Sequence, residues 1–391
     1  MKRYSRFIIG VLIIFTIVSL AGLSSIYGYQ QLVTFFFVPL ILFLGFASNN
    51  FKFPSLSYTY SKCFLWILVL GVLILSFSTD LSVGIRNLIT LTGVYLSILF
   101  TLELLQFQYF DFTDTFLFSF ILGFLILSFF IFFDVAGSPG KIDEDYIDRS
   151  AFDVNANAYS YFSYFSNIAA FYLIQIRGRR LYILLAIICA VLGIYIAFIT
   201  ASRSGIIFVL LINLVYWLFI FSKTRINVFF KTLLVLAILS YGIKYTYEIY
   251  ENSFLKLRVN DAIESGDSRG DLVTEAIIVF LQNPLTGVGP GQFFLHTESK
   301  SNFSHNSFTE IAANMGVFGI LLLVFLLFQP FIREMRYYGL GDKALSKLNI
   351  LFFFSFILYN NFYVFYLTTY GMIFFFLVLM IQRKNWNHQF K

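Results

Sequence analysis

Charge is what this sequence has least of. Only 12% of its 391 residues are Asp, Glu, Lys or Arg, where soluble domains carry about a quarter, so the chain reads as an integral membrane protein. Cysteine is nearly absent too: Cys63 and Cys189 both fall in apolar runs, which excludes a disulfide framework and a cysteine metal site. Three histidines with no His-rich cluster argue against a transition-metal centre. Short segments of alternating polar and apolar residues are missing, which argues against a β-barrel. No internal repeat or low-complexity tail is visible. The net charge of +6 is no argument for nucleic acid, because most cations flank apolar runs, where topology explains them. Met1-Lys2-Arg3-Tyr4-Ser5-Arg6 precedes an apolar run with no clear small-residue cleavage site, so this reads as a retained first helix.

What is present is hydrophobicity: 59% of residues are apolar and 21% aromatic. Runs of about 20 apolar residues suit membrane-crossing helices. The pattern predicts an all-α membrane protein, a single polytopic domain over 1–391, with helices near 7–26, 31–48, 62–79, 82–103, 115–137, 154–176, 181–200, 205–222, 228–246, 307–329, 346–361 and 365–382. That makes about twelve spans by the hydropathy criterion. One set of connections holds most of the cations, including Lys2, Arg177, Arg179, Arg180, Lys223, Arg333, Arg336 and Arg383. Those ends, and both termini, are expected in the cytoplasm. The segment 104–114 strains this topology, since it carries Asp111 and Asp114 but no cation. Phe-rich runs at 35–37, 352–354 and 374–376 read as lipid-facing or interhelical filler.

One long polar stretch, 247–306, is then a large extracytoplasmic loop containing short surface helices. Loops of this length in a compact protein are usually functional. Within it, Leu272 to Leu281 is too short to span comfortably and reads as an amphipathic surface helix.

Several residues near the outer face invite chemistry. Arg203 sits in Thr200-Ala201-Ser202-Arg203-Ser204-Gly205, a tight interhelical turn on the side where cations are scarce. Ser202 or Ser204 can cap the following helix, and the helix N-terminus and guanidinium together favour an anion; a lipid headgroup or a loop carboxylate would serve equally. Arg269 precedes the amphipathic stretch and either reaches the same anion or pairs with Asp267 or Asp271. Arg258 is a weaker candidate. Arg86 lies about one turn inside a span and is either functional or snorkels outward. Gly287-Val288-Gly289-Pro290-Gly291 has the wrong spacing for a dinucleotide fingerprint and reads as a rigid turn. Ser307-Phe308-Thr309-Glu310 has the form of a capping box, which starts a helix at Ser307. His305 then stands just outside that helix, whose N-terminus disfavours an imidazolium and leaves the ring able to accept a proton. A surface histidine with one hydrogen bond is the plainer alternative. His296 and His388 read as bystanders.

Taken in order, Thr200–Gly205, the Arg269 segment leading into Asn283 to Phe293, and His305-Asn306-Ser307-Phe308 leading to Gly316-Val317-Phe318-Gly319 resemble the O-antigen ligase and polymerase superfamily of bacterial envelope enzymes. Asp153-Val154-Asn155 is similar to that family as well. The resemblance implies a glycosyltransferase in the bacterial cytoplasmic membrane with an undecaprenyl-diphosphate-linked oligosaccharide as donor. It assigns catalysis to Arg203, Arg269 and His305, which are expected to meet in one pocket at the outer membrane boundary. Substrate-binding candidates are Arg258, Arg86, Ser202, Asn155, Gly289 and Asn306. No cofactor is expected, and with no acidic metal site evident the reaction is expected to be metal-independent and inverting. Between polymerase and ligase the compact chain favours a polymerase of O-antigen, capsule or exopolysaccharide. Expected partners besides the donor and the bilayer are a chain-length regulator and a flippase, with no nucleic acid. The rival from another class is a polysaccharide transporter, although transporters place their ionisable groups near the midplane, often in repeated halves.

Overall fold

The structure, a computed structural model, describes residues 2–20, 39, 43, 59–105, 111–133, 156–200, 202–221, 268–298 and 303–387. Among them all regular structure is helical. The helices are α1 (Lys2–Val18), α2 (Thr59–Ile74), α3 (Leu81–Leu105), α4 (Thr113–Phe132), α5 (Ala156–Arg177), α6 (Arg180–Ile199), α7 (Arg203–Val215), α8 (Ser268–Gln282), α9 (Ser307–Arg336), α10 (Lys343–Tyr359) and α11 (Thr369–Asn387). A π-helical turn, Tyr216–Phe221, extends α7. Six of these stretches are long and apolar enough to cross a membrane: Thr59–Phe77, Leu81–Leu105, Thr113–Phe132, Arg180–Ile199, Arg203–Phe221 and Ser307–Arg336. The expected span at 228–246, that at 31–48 apart from residues 39 and 43, and the loop stretch before Ser268 lie outside the described residues. The chain divides into two compact units. One holds Met1–Val33, Asp114–Gly266 and Gly341–Phe352; the other holds Thr34–Thr113, Asp267–Leu340 and Phe353–Lys391.

In the first unit α5, α6 and α7 pack on one another. Gly178 takes the left-handed conformation that ends α5, its N–H given to Ile174 O at 2.8 Å, and α6 starts two residues later. Helix α5 is polar by composition yet buried along almost its whole length from Tyr159 to Leu173. Its serines explain this, because small residues let helix backbones approach closely where apolar bulk cannot. A Cβ built at Gly205 would stand 2.6 Å from Ser160 Cβ, and one at Gly193 would stand 3.1 Å from Ser163 Cβ. Asn167 ties all three helices together. Its amide donates to Ser163 O at 2.8 Å and Cys189 O at 3.2 Å, and its oxygen accepts from Asn213 at 3.0 Å.

In the second unit α2 packs on α9 and α3, and α3 packs on α11. Tyr60 bonds Gln329, and Cys63 Sγ donates to Leu322 O at 3.3 Å. Phe374 to Ile381 of α11 and Phe353 of α10 are buried, so these phenylalanines are interhelical filler, while Phe354 is exposed; the Phe-rich run at 35–37 lies outside the described residues. The surface helix α8 buries Leu272, Ala276 and Val279 and exposes Ile277, Ile278 and Leu281.

The cation-free segment before α4 finds its counter-charges elsewhere in the chain. Within the first unit Asp114 pairs with Arg177; within the second Asp111 accepts from Lys384 Nζ at 2.8 Å. Both cations belong to the ends expected on the cytoplasmic side. Burial pushes the Asp111 carboxyl up, but hydrogen bonds from Lys384 and Thr113 outweigh it and hold it below the ordinary value. Such a depressed carboxylate stabilises the fold above its unfolded pKa and loses that effect as pH falls through the folded value. Lys384→Ala should therefore lower the unfolding temperature near neutrality, by the equivalent of about 0.2–1 kcal/mol for a half-exposed pair. In acid below the carboxylate range the variant and the parent should unfold together.

Candidate functional site

Most of the motif residues in the second unit converge on one short piece of helix. Helix α9 is broken at Gly316, whose backbone (φ 67, ψ −162) is non-helical. That conformation is open essentially to glycine alone. The break turns the N–H of Val317 away from Ala313 O and onto Pro284 O at 2.8 Å. Ala313 O and Asn314 O are thereby released, and they accept from Val288 N and Gly289 N at 3.0 Å each. The glycine turn is thus the segment that satisfies the opened helix, as buried backbone groups require.

Glycine is demanded on both sides of this seam. A Cβ at Gly316 would stand 2.3 Å from Leu285 O, and one at Gly287 would stand 2.4 Å from Asn314 C. Gly289 (φ 105) lies with its ideal Cβ 2.3 Å from Ser78 Oγ, so the loop backbone also presses on the α2–α3 connection. Gln292, fully buried, clamps that connection, accepting from Asp80 N at 2.9 Å and donating to Asp80 O at 2.8 Å. Asp80 in turn caps α3 through Ser82 N and Val83 N. Hydrogen bonds from the Ser82 hydroxyl and from those two amides hold its carboxyl below the ordinary value, and Arg86 adds to the effect.

His305 immediately precedes Asn306, the N-cap of α9. It is partly exposed, with φ 57, the single non-glycine residue of positive φ among the described residues. A side-chain-bearing residue held there costs about 1–3 kcal/mol and persists only where its surroundings impose it, a pattern concentrated at functional sites. Asn306, not Ser307, is the N-cap: its Oδ1 accepts from Phe308 N at 2.9 Å and Thr309 N at 3.3 Å. This corrects the expected capping box. Ser307 N is given to Asn360 O at 2.8 Å, and Ser307 Oγ bridges Tyr363 O and Phe365 N. Glu310, freed from a capping role, accepts instead from Ser304 N at 2.7 Å and from Asn314 Nδ2 at 2.9 Å. Asn314 Oδ1 accepts from Phe293 N at 2.9 Å.

Arg269 is the second residue of α8 and partly exposed. The buried face of α8 joins Val288, Phe293 and Ala313 in one cluster through Ala276 and Val279. The helix bearing Arg269, the glycine loop and the His305 turn therefore all rest on residues 307–315. Arg86 is exposed in α3, the arrangement expected of a cation that snorkels. Arg203 belongs to the first unit, where it opens α7 partly exposed. Ser202, buried, is the N-cap of α7: it accepts from Gly205 N at 3.3 Å and from Ser160 Oγ at 2.8 Å. Of the two serines expected to cap, this is the one that does. Arg258 and Asn155 lie outside the described residues. Sequence reasoning missed Asn314, Gln292 and the second role of Glu310. A carboxylate and an amide four residues apart inside an apolar run were the available signal, since such groups are costly there unless paired.

Residues 188–324 match the family model described as O-antigen ligase, a span containing Arg203, Arg269 and His305. No curated protein matches the chain.

Proposed function

We propose that this chain is a membrane glycosyltransferase of the O-antigen ligase/polymerase superfamily, a reading supported by the match of residues 188–324 to the O-antigen ligase family, and that it polymerises lipid-diphosphate-linked repeat units at the outer face of the cytoplasmic membrane. The observation that carries the reading is His305, held in a strained left-handed turn at a helix N-terminus inside the matched domain. In the proposed reaction a hydroxyl oxygen of the acceptor sugar attacks C1 of the donor. The C1–O bond to the diphosphate breaks and its electron pair leaves with the phosphate oxygen. His305 takes the hydroxyl proton, a contribution of about 10²–10⁴ in rate. Arg203 and Arg269 are assigned to the diphosphate, whose growing negative charge each guanidinium offsets by about 3–4 kcal/mol in a desolvated setting. Attack opposite the leaving group inverts the anomeric centre. No step calls on a metal ion.

The description of the matched family favours a second reading, transfer of the glycan to another acceptor by the same chemistry. A cell-free assay separates the two. Purified protein is given a lipid-diphosphate repeat unit with EDTA, with and without a lipid A-core acceptor. A ladder of lengthened lipid-linked products without the acceptor is the expected result. A single product formed only when lipid A-core is present would make it a ligase. Turnover abolished by EDTA and restored by a divalent ion would retire the metal-free mechanism.

A further inference from the structure

Resting on the assignment of His305 as the base, we propose that Glu310 and Asn314 are positioning residues, a buried carboxylate–amide pair that locks the His305 turn to the glycine loop. Four groups form one continuous chain of hydrogen bonds. Ser304 N donates to Glu310 Oε2 at 2.7 Å, Asn314 Nδ2 donates to Glu310 Oε1 at 2.9 Å, and Phe293 N donates to Asn314 Oδ1 at 2.9 Å. All four residues are buried. Glu310 and Asn314 stand four residues apart and so share one face of α9. Their partners come from different segments: Ser304 is the residue before His305, and Phe293 follows the glycine turn.

The donor pattern dictates the residue types. Phe293 N–H can only donate, so the atom of Asn314 that meets it is the oxygen, and the amide nitrogen is left facing Glu310. Glu310 therefore meets a donor on each side and must present two acceptors. A carboxylate does this; a glutamine does not. The requirement matters because His305 has a left-handed backbone that relaxes unless both neighbours are held. On one side Ser304 is anchored to Glu310. On the other, Asn306 is fixed by capping α9 and by the Ser304 hydroxyl, which donates to Asn306 O at 3.1 Å. Ser304 thus stands between the buried carboxylate and the cap, and the turn between them has no slack.

Reciprocal exchange tests this in the full-length protein, with a lipid-diphosphate repeat unit as substrate. Glu310→Gln turns an NH2 toward the Asn314 amide, and Asn314→Asp brings two carboxylates together. In the double variant the pattern is whole again: the introduced glutamine accepts from Ser304 and donates to the introduced aspartate, which accepts from Phe293. Each single substitution should lower kcat about 100-fold, the scale of a misplaced catalytic group, with KM within about twofold of the parent on that same positioning argument. The double variant should recover most of the loss. Parental kcat in Glu310→Gln, a rise in KM in place of the fall in kcat, or a double variant no better than the worse single would overturn the proposal. If the singles do not fold, amide exchange in the parent decides: slow exchange at Ser304 and Phe293 supports the lock, and fast exchange at either removes it. His305→Ala run alongside separates the two ideas. Loss of turnover there with parental Glu310→Gln kinetics sinks only the positioning role, while retained turnover sinks the base assignment and the positioning role together.

Discussion

Ladder formation should disappear in His305→Ala and in Arg203→Ala, with expression and monodispersity unchanged. The histidine variant loses the acceptor for the hydroxyl proton, a deficit of about 10²–10⁴ in kcat. For Arg203 the expected deficit is about 10²–10³, that of one removed charge-stabilising donor. Stability should be little affected in either case. Arg203 is partly exposed, and the cap that starts its helix is the Ser202 side chain, which the substitution leaves in place. His305→Ala keeps the N-cap Asn306. Arg203→Lys should recover only part of the loss, since an ammonium supplies the charge without the planar fork that grips a phosphate on two oxygens. Normal elongation by both alanine variants would remove the proposed chemistry altogether.

The largest effect on stability is expected at Gly316. Any side chain there meets two penalties at once. The backbone conformation alone costs about 1–3 kcal/mol for a non-glycine residue. The added carbon would also stand 2.3 Å from Leu285 O and 2.5 Å from Leu285 C, backbone atoms that cannot swing away. Gly316→Ala should lower the unfolding temperature in detergent well beyond the effect of a surface substitution and abolish elongation with it. Gly93→Ala is the matched control: nothing lies within 4 Å of its ideal Cβ, and it sits inside α3. That substitution should leave stability unchanged or raise it by about 0.5–1 kcal/mol. Equal melting of the two variants would mean that the seam between the glycine turn and α9 is not what holds this region.

The helices were legible wherever local chemistry sets their ends. Hydropathy located α5, α6 and α7 to within a few residues, and Ser202 punctuates the α6–α7 junction in the sequence as it does in space. Helix α9 was harder. The expected span stops at residue 329, but the helix runs on to Arg336 with Pro330 inside it, and Pro330 O accepts from Gln382 at 3.1 Å. Gly316 sits in an apolar run that reads as unbroken helix, and its break lies against the backbone of Leu285, 31 residues upstream. The S-x-x-E pattern failed for a similar reason: the Ser307 amide is claimed by Asn360, which no local pattern announces. In the candidate site, His305 and Arg203 stood out by their position at span ends. The network beneath His305 did not, because its donors at Ser304 and Phe293 are main-chain groups that carry no residue signature.

Cutting α9 at residue 316 gives its two pieces separate lengths to use. From Val317 to Arg336 the lower rod measures about 30 Å at 1.5 Å per residue, the depth of a hydrocarbon slab on its own. Arg333 and Arg336 then fall at its far end, within reach of headgroups. The upper rod, from Ser307 to Met315, is not needed for crossing and can serve as a shelf at the water boundary. On the proposed function, a histidine at the outer end of such a shelf would meet sugars that project from the bilayer, not the acyl chains that anchor them.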